Sequence, residues 1–104
     1  MPLERQDQED LSRIIAEVRR ERERHFTKGF DAAHDGAHAP GDLARAAICY
    51  ALDIEDRQTP METGDTLAKY LWPFSEDFSP KERRRDLIVA ASLILAEVQR
   101  MDRP

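Results

Sequence analysis

Cysteine, basic charge in excess and long apolar runs are what this chain lacks. It holds one cysteine, Cys49, so no internal disulfide can form. Cys49 sits in the apolar run Ala46-Ala47-Ile48-Cys49-Tyr50-Ala51-Leu52, where a thiol reads as a small buried hydrophobe rather than a nucleophile. No stretch approaches the ~20 apolar residues that a membrane helix needs. The N-terminus is charged and carries no apolar signal core, so no membrane association and a cytoplasmic location are expected. Lysine and arginine number 16 against 21 aspartates and glutamates, a formal net charge of -5. That balance argues against general nucleic-acid binding, which needs a basic stripe to displace counterions. The local run Arg83-Arg84-Arg85 is flanked by Glu82 and Asp86 and reads as a solvated helix start. Strand signals and internal repeats are also missing.

What remains is helical periodicity. A chain of 104 residues is expected to form one domain over 1–104, with the polar residues 1–8 frayed. A domain of this size buries roughly 60–68% of its unfolded surface, which allows a thin core. The first helix is expected over about 10–28, with Leu11, Ile14, Ile15, Val18 and Phe26 on its apolar stripe and Gly29 as its stop. Arg22 and His25 fall on the same stripe. A second helix is expected from Gly41 or Asp42 to Leu52, burying Leu43, Ala46, Ala47, Tyr50 and Ala51. Residues 53–78 read as turn and linker, with a short helix near 65–70 and an extended Trp72-Pro73-Phe74 that packs back across the helices. The last helix is expected to open on a capping box, with Ser79 as N-cap, Pro80 at N1 and Glu82 at N3, and to run to about Met101. It is apolar nearly all round: Leu87, Ile88, Ala91, Leu95 and Val98 on one side, Val89, Leu93 and Ala96 on another. Such a helix is central in a bundle or shared with a second subunit. The expectation is therefore an all-α, single-domain bundle of three main helices plus a short fourth, with the C-terminal helix central. A homodimer through Val89, Leu93 and Ala96 is expected with it.

The densest chemistry lies in His34-Asp35-Gly36-Ala37-His38, followed by Pro40-Gly41-Asp42-Leu43. His34 and His38 share a face if this segment makes a helical turn, and can then chelate a divalent metal with Asp35 as third ligand or as the group that orients an imidazole. Arg22 and His25 lead into this loop from the end of the first helix. A buried arginine requires a carboxylate or a bound anion, and Asp35, Asp42 and Glu97 are the carboxylates at hand. Three readings stay open for Arg22, His25, His34, Asp35 and His38: a structural tie, a metal site, and a pocket for a small anionic ligand or nucleotide. No phosphate-binding glycine loop and no Ser-His-Asp order points to nucleophilic catalysis.

Several segments resemble one family. Glu21-Arg22-Glu23-Arg24-His25 through Lys28-Gly29-Phe30 is similar to a Glu-Arg-x-Arg-Gln…Gly-Trp start. Ala33-His34-Asp35-Gly36-Ala37-His38 with Gly41-Asp42-Leu43-Ala44-Arg45-Ala46-Ala47 resembles a Glu-His-Asp-Asp-x-x-His…Gly-Glu-Leu-Ala-x-Ala-Ala segment. Trp72-Pro73-Phe74, Arg85-Asp86-Leu87-Ile88 and Ala96-Glu97-Val98 continue the likeness. These patterns, spread over residues 15–103, resemble a family of small phage and prophage proteins. The resemblance implies a phage or mobile-element origin and brings no established reaction; with the acidic balance, the thin core and the absent catalytic motif, the expectation is an accessory protein that binds a host protein or a small ligand. A more distant similarity, to the MazG-like all-α nucleotide pyrophosphohydrolases, implies metal-dependent nucleotide hydrolysis as the alternative. Those enzymes use Glu-x-x-Glu and Glu-x-x-Asp pairs for magnesium, whereas Glu17 and Glu21 here are four apart, as are Glu82 and Asp86.

Overall fold

A computed structural model describes residues 3–27 and 40–103. Five helices follow in order: α1 (Arg5–Thr27), α2 (Asp42–Ala51), α3 (Ile54–Arg57), α4 (Leu67–Leu71) and α5 (Arg83–Asp102). Among the described residues strand structure is confined to one isolated bridge between Pro60 and Thr66. The chain is all-α in these residues, and α5 packs against both α2 and α1.

The core lies between α2 and α5. Leu43, Ala46 and Ala47 of α2 meet Val89, Ala90, Leu93 and Ala96 of α5, with Tyr50, Trp72 and Phe74 closing the cluster. Alanines on both helices bring the backbones close, and the aromatic side chains then fill the open end. Cys49 is fully buried beside them, its thiol directed at the Ala68 carbonyl at 3.4 Å. Burial pushes that thiol above its ordinary value.

This arrangement exchanges most of the two faces assigned to the last helix, although Ile88 of the first face stays buried. Val89, Leu93 and Ala96, expected to bind a second subunit, form the core. Leu87, Leu95 and Val98, expected inside, are about half exposed. The reason is size: the small residues of α2 need the closest approach, and α5 offers it where Ala90 and Ala96 flank Leu93. The dimer expected through Val89, Leu93 and Ala96 therefore has no free face there.

The stretch 53–78 holds two short helices where one was expected. Asp53 caps α3, accepting the Asp56 N–H at 2.9 Å, and Thr66 caps α4, accepting the Lys69 N–H at 3.3 Å. The α5 cap also differs from expectation. Glu82, not Ser79, is the N-cap, and its carboxylate accepts the N–H groups of Arg84 and Arg85. The Lys81 N–H instead turns to Asp86 Oδ1 at 2.7 Å, which holds 79–81 out of the helix.

The apolar stripe of α1 is half correct. Val18 is half-buried and Arg22 is buried, but Leu11, Ile14 and Ile15 stand exposed. The side chain of Phe26 lies outside the described residues, as does Gly29.

Candidate functional site

Where α1 crosses α5, the buried face of α1 is polar. Glu21 is 2% exposed and Arg22 6% exposed. Arg22 Nε donates to Gln99 Oε1 at 2.8 Å. Glu97, one of the carboxylates expected to meet Arg22, is held by Arg100, three residues along its own helix. Glu21 gathers three basic groups: Arg24 at 3.0 Å, His25 Nε2 at 3.3 Å and Arg85 across the helix pair at 2.5 Å. Burial pushes the Glu21 carboxyl up. The hydrogen bond from Arg24 and the charges of Arg85, Arg24 and His25 outweigh it and hold the carboxyl below its ordinary value.

Arg22 and His25 also line a cavity of about 150 Å³. Its other walls include Leu43 and Tyr50 of α2, Trp72 and Phe74 of the extended segment, and Val89 and Leu93 of α5. Glu76 and Asp77 add acidic groups to the lining. The aromatic wall is ordered by its own geometry. Trp72 and Phe74 meet edge to face at 5.3 Å, Tyr50 and Trp72 at 5.9 Å, and Tyr50 and Phe78 at 5.0 Å. Trp72 Nε1 donates to the Glu76 carbonyl at 2.7 Å, which fixes the indole and brings the acidic pair to the cavity. A second, more polar hollow shares His25, Tyr50 and Val89 with the first and is lined also by Glu21, Arg24, Lys81 and Arg85.

Of the five residues singled out from the sequence, the structure brings Arg22 and His25 to one cavity. His34, Asp35 and His38 lie outside the described residues, and so does the metal triad they would make. Among the described residues no group of three or more His, Cys, Asp or Glu side chains is placed to share a metal ion. Sequence reading placed Glu21 near these groups without assigning it a role, and missed Gln99 as a partner of Arg22. Glu21 was visible as the residue three before Arg24 and four before His25, a spacing that puts both bases on its face. It also missed Glu76 and Asp77, which no periodicity connects to the α1 stripe.

No protein-family model, curated protein sequence or solved structure matches this chain.

Proposed function

We propose that the protein acts by binding, and that its ligand is a small anionic molecule built on a single flat ring. The observation that carries this reading is the aromatic-walled cavity of about 150 Å³ shared by Arg22 and His25. A space of that size, walled by aromatic and aliphatic side chains and carrying four polar ones, has room for one benzene-sized ring. A ring seated against Trp72 and Phe74 extends their edge-to-face packing. Arg22 and His25 favour a carboxylate or phosphate on it, while Glu76 and Asp77 limit how much negative charge the ligand carries. An accessory role in a phage or prophage rests on the resemblance of residues 15–103.

Trp72 is the only tryptophan, so its fluorescence reports on this cavity alone. Benzoate, benzyl alcohol and benzylamine make the probe set. Saturable quenching by benzoate, weaker by the alcohol and absent with the amine, is the expected result. Arg22→Met is expected to abolish the benzoate response while helix content persists. No saturable response to any of the three overturns the reading. Pyrophosphate release from a nucleoside triphosphate with magnesium or manganese, lost in Asp35→Asn, would put the hydrolase alternative in its place.

A further inference from the structure

Basic groups dominate the second hollow. Arg24 and His25 come from the last turn of α1, Lys81 from the segment before α5, and Arg85 from the first turn of α5. Glu21 is the one acid in the wall, and Tyr50 and Ser79 add hydroxyls. The hollow holds about 310 Å³, at the lower end of the roughly 300–1,000 Å³ of small-ligand sites. With His25 neutral, three cations line it against one carboxylate, a local excess of two positive charges in a chain of net charge -5. Glu21, 2% exposed, organises this wall rather than cancelling it. Its Oε1 takes Arg24 Nη2 and His25 Nε2, and its Oε2 takes Arg85 Nη2 from the other helix. Arg85 is thereby held in place, while its Nε and Nη1 groups have no partner among the described residues. The Lys81 ammonium has none there either, although its backbone N–H is anchored on the buried Asp86 at 2.7 Å. Glu82, next to Lys81 in the chain, spends its carboxylate on the α5 cap.

We propose that this hollow binds a phosphoryl group, taken as its dianion by Arg85 and Lys81. Three features select that chemistry. A guanidinium fork meets two phosphate oxygens at once, and a lysine beside it serves as a point charge. The excess of two positive charges is matched by a dianion, whereas a single carboxylate leaves one of them uncompensated. The Ser79 and Tyr50 hydroxyls are further donors in the same wall. The chain's net negative charge repels long polyanions and so favours a small one. The proposal does not rest on the ring-binding reading of the first cavity, with which this hollow shares only His25 among its charged or titratable groups other than Tyr50.

Calorimetric titration of the whole protein with inorganic phosphate tests the proposal, at constant ionic strength and at about pH 8, where phosphate is a dianion. Saturable one-to-one binding is expected. Lys81→Gln is expected to weaken it about tenfold, the loss of one charge-assisted hydrogen bond. Its circular dichroism should not change, because the Lys81 side chain is exposed and the backbone bond to Asp86 remains. Arg85→Lys keeps the charge but loses the fork, and is expected to weaken binding as well. Lys69→Gln removes an exposed cation on α4, outside the hollow, and is expected to leave binding as it is. Phenyl phosphate separates the two sources of the group. Tighter binding than inorganic phosphate, with quenching of Trp72, assigns the group to an ester whose ring reaches the first cavity. Equal binding without quenching assigns it to the free ion. Both outcomes support the site. No saturable heat with phosphate overturns it, and so does phosphate binding that Lys81→Gln and Arg85→Lys leave unchanged. Benzoate quenching of Trp72, expected to persist in Lys81→Gln, reads the first cavity separately, so failure of one reading leaves the other standing.

Discussion

Arg57 and Asp86 join three helices through one ion pair. Arg57 Nη2 reaches Asp86 Oδ2 at 3.0 Å, and the same guanidinium donates to the Cys49 and Tyr50 carbonyls at 2.9 Å each, closing the C-terminal end of α2. Its plane also lies 5.2 Å from the Phe78 ring centre. Asp86 is 1% exposed, and its other oxygen accepts the Lys81 N–H. Both oxygens of a buried carboxylate are thus satisfied, the condition under which burying a charge is tolerable.

Removing one partner strands the other. Asp86→Ala is expected to lower the unfolding free energy by about 3–5 kcal/mol, the cost of breaking a buried pair from one side. Asp86→Asn keeps an acceptor for Lys81 and should fall between the wild type and Ala. Urea unfolding followed by circular dichroism measures both, and an Asp86→Ala protein as stable as wild type would refute the role of this pair.

Glu21 gives the fold a pH dependence with a definite sign. Its carboxyl is depressed in the folded state below the ordinary 4.5, burial being outweighed by Arg24, Arg85 and His25. A depressed carboxyl stabilises the fold above its unfolded value, and that contribution is lost as pH falls through the folded one. Stability is therefore expected to hold above about pH 4.5 and to decline below it. In Glu21→Gln part of that decline disappears. Glu17, held low by its hydrogen bond to Arg84, supplies a share that remains. Urea midpoints taken from about pH 6 down to about pH 3 for both proteins check the difference.

The helices were legible because their periodicity is strong: α2 and α5 lie close to where apolar spacing puts them, and α1 does so at its end but begins at Arg5 rather than near Asp10, because the polar residues before Asp10 join the helix without an apolar stripe to announce it. The buried positions of Leu43, Ala46 and Ala47 follow from the same pattern. The faces of α5 were not legible, since a helix apolar all round states that it is central without stating which side meets which neighbour. The exposure of Leu11, Ile14 and Ile15 was hidden for a related reason. A stripe on one helix cannot show where its partner helix ends. At the site, Arg22 and His25 stood out as polar residues on an apolar stripe. Trp72 and Phe74 were expected to pack across the helices, but nothing local ties them to Arg22; that link is made only by the fold.

Cys49 should be chemically silent in the native protein. It is fully buried, its thiol is raised by burial, and the thiolate is the reactive form. A thiol reagent at neutral pH is expected to leave it unmodified until denaturant is added, then to label one site per chain. Rapid labelling without denaturant would show that the α2–α4 contact around Ala68 opens readily.

The start of α5 departs from the capping scheme that the sequence suggests, with Glu82 as the N-cap in place of Ser79. Ser79-Pro80-Lys81-Glu82 has the pattern of a capping box three residues before the observed start. The buried Asp86 decides against it, because its Oδ1 takes the Lys81 N–H that a helix beginning at Pro80 would turn inward. Glu82 then caps with a carboxylate, at 2.6 Å to the Arg85 N–H and 3.2 Å to that of Arg84, where the helix dipole favours a negative charge. Glu82→Ala is expected to cost about 0.5–2 kcal/mol, the range for losing an N-cap. Ser79→Ala is expected to change stability by less than about 0.5 kcal/mol, as an exposed substitution away from any cap does. Thermal or urea unfolding of the two variants decides between the schemes, and a larger loss in Ser79→Ala would move the cap back to where the sequence pattern put it.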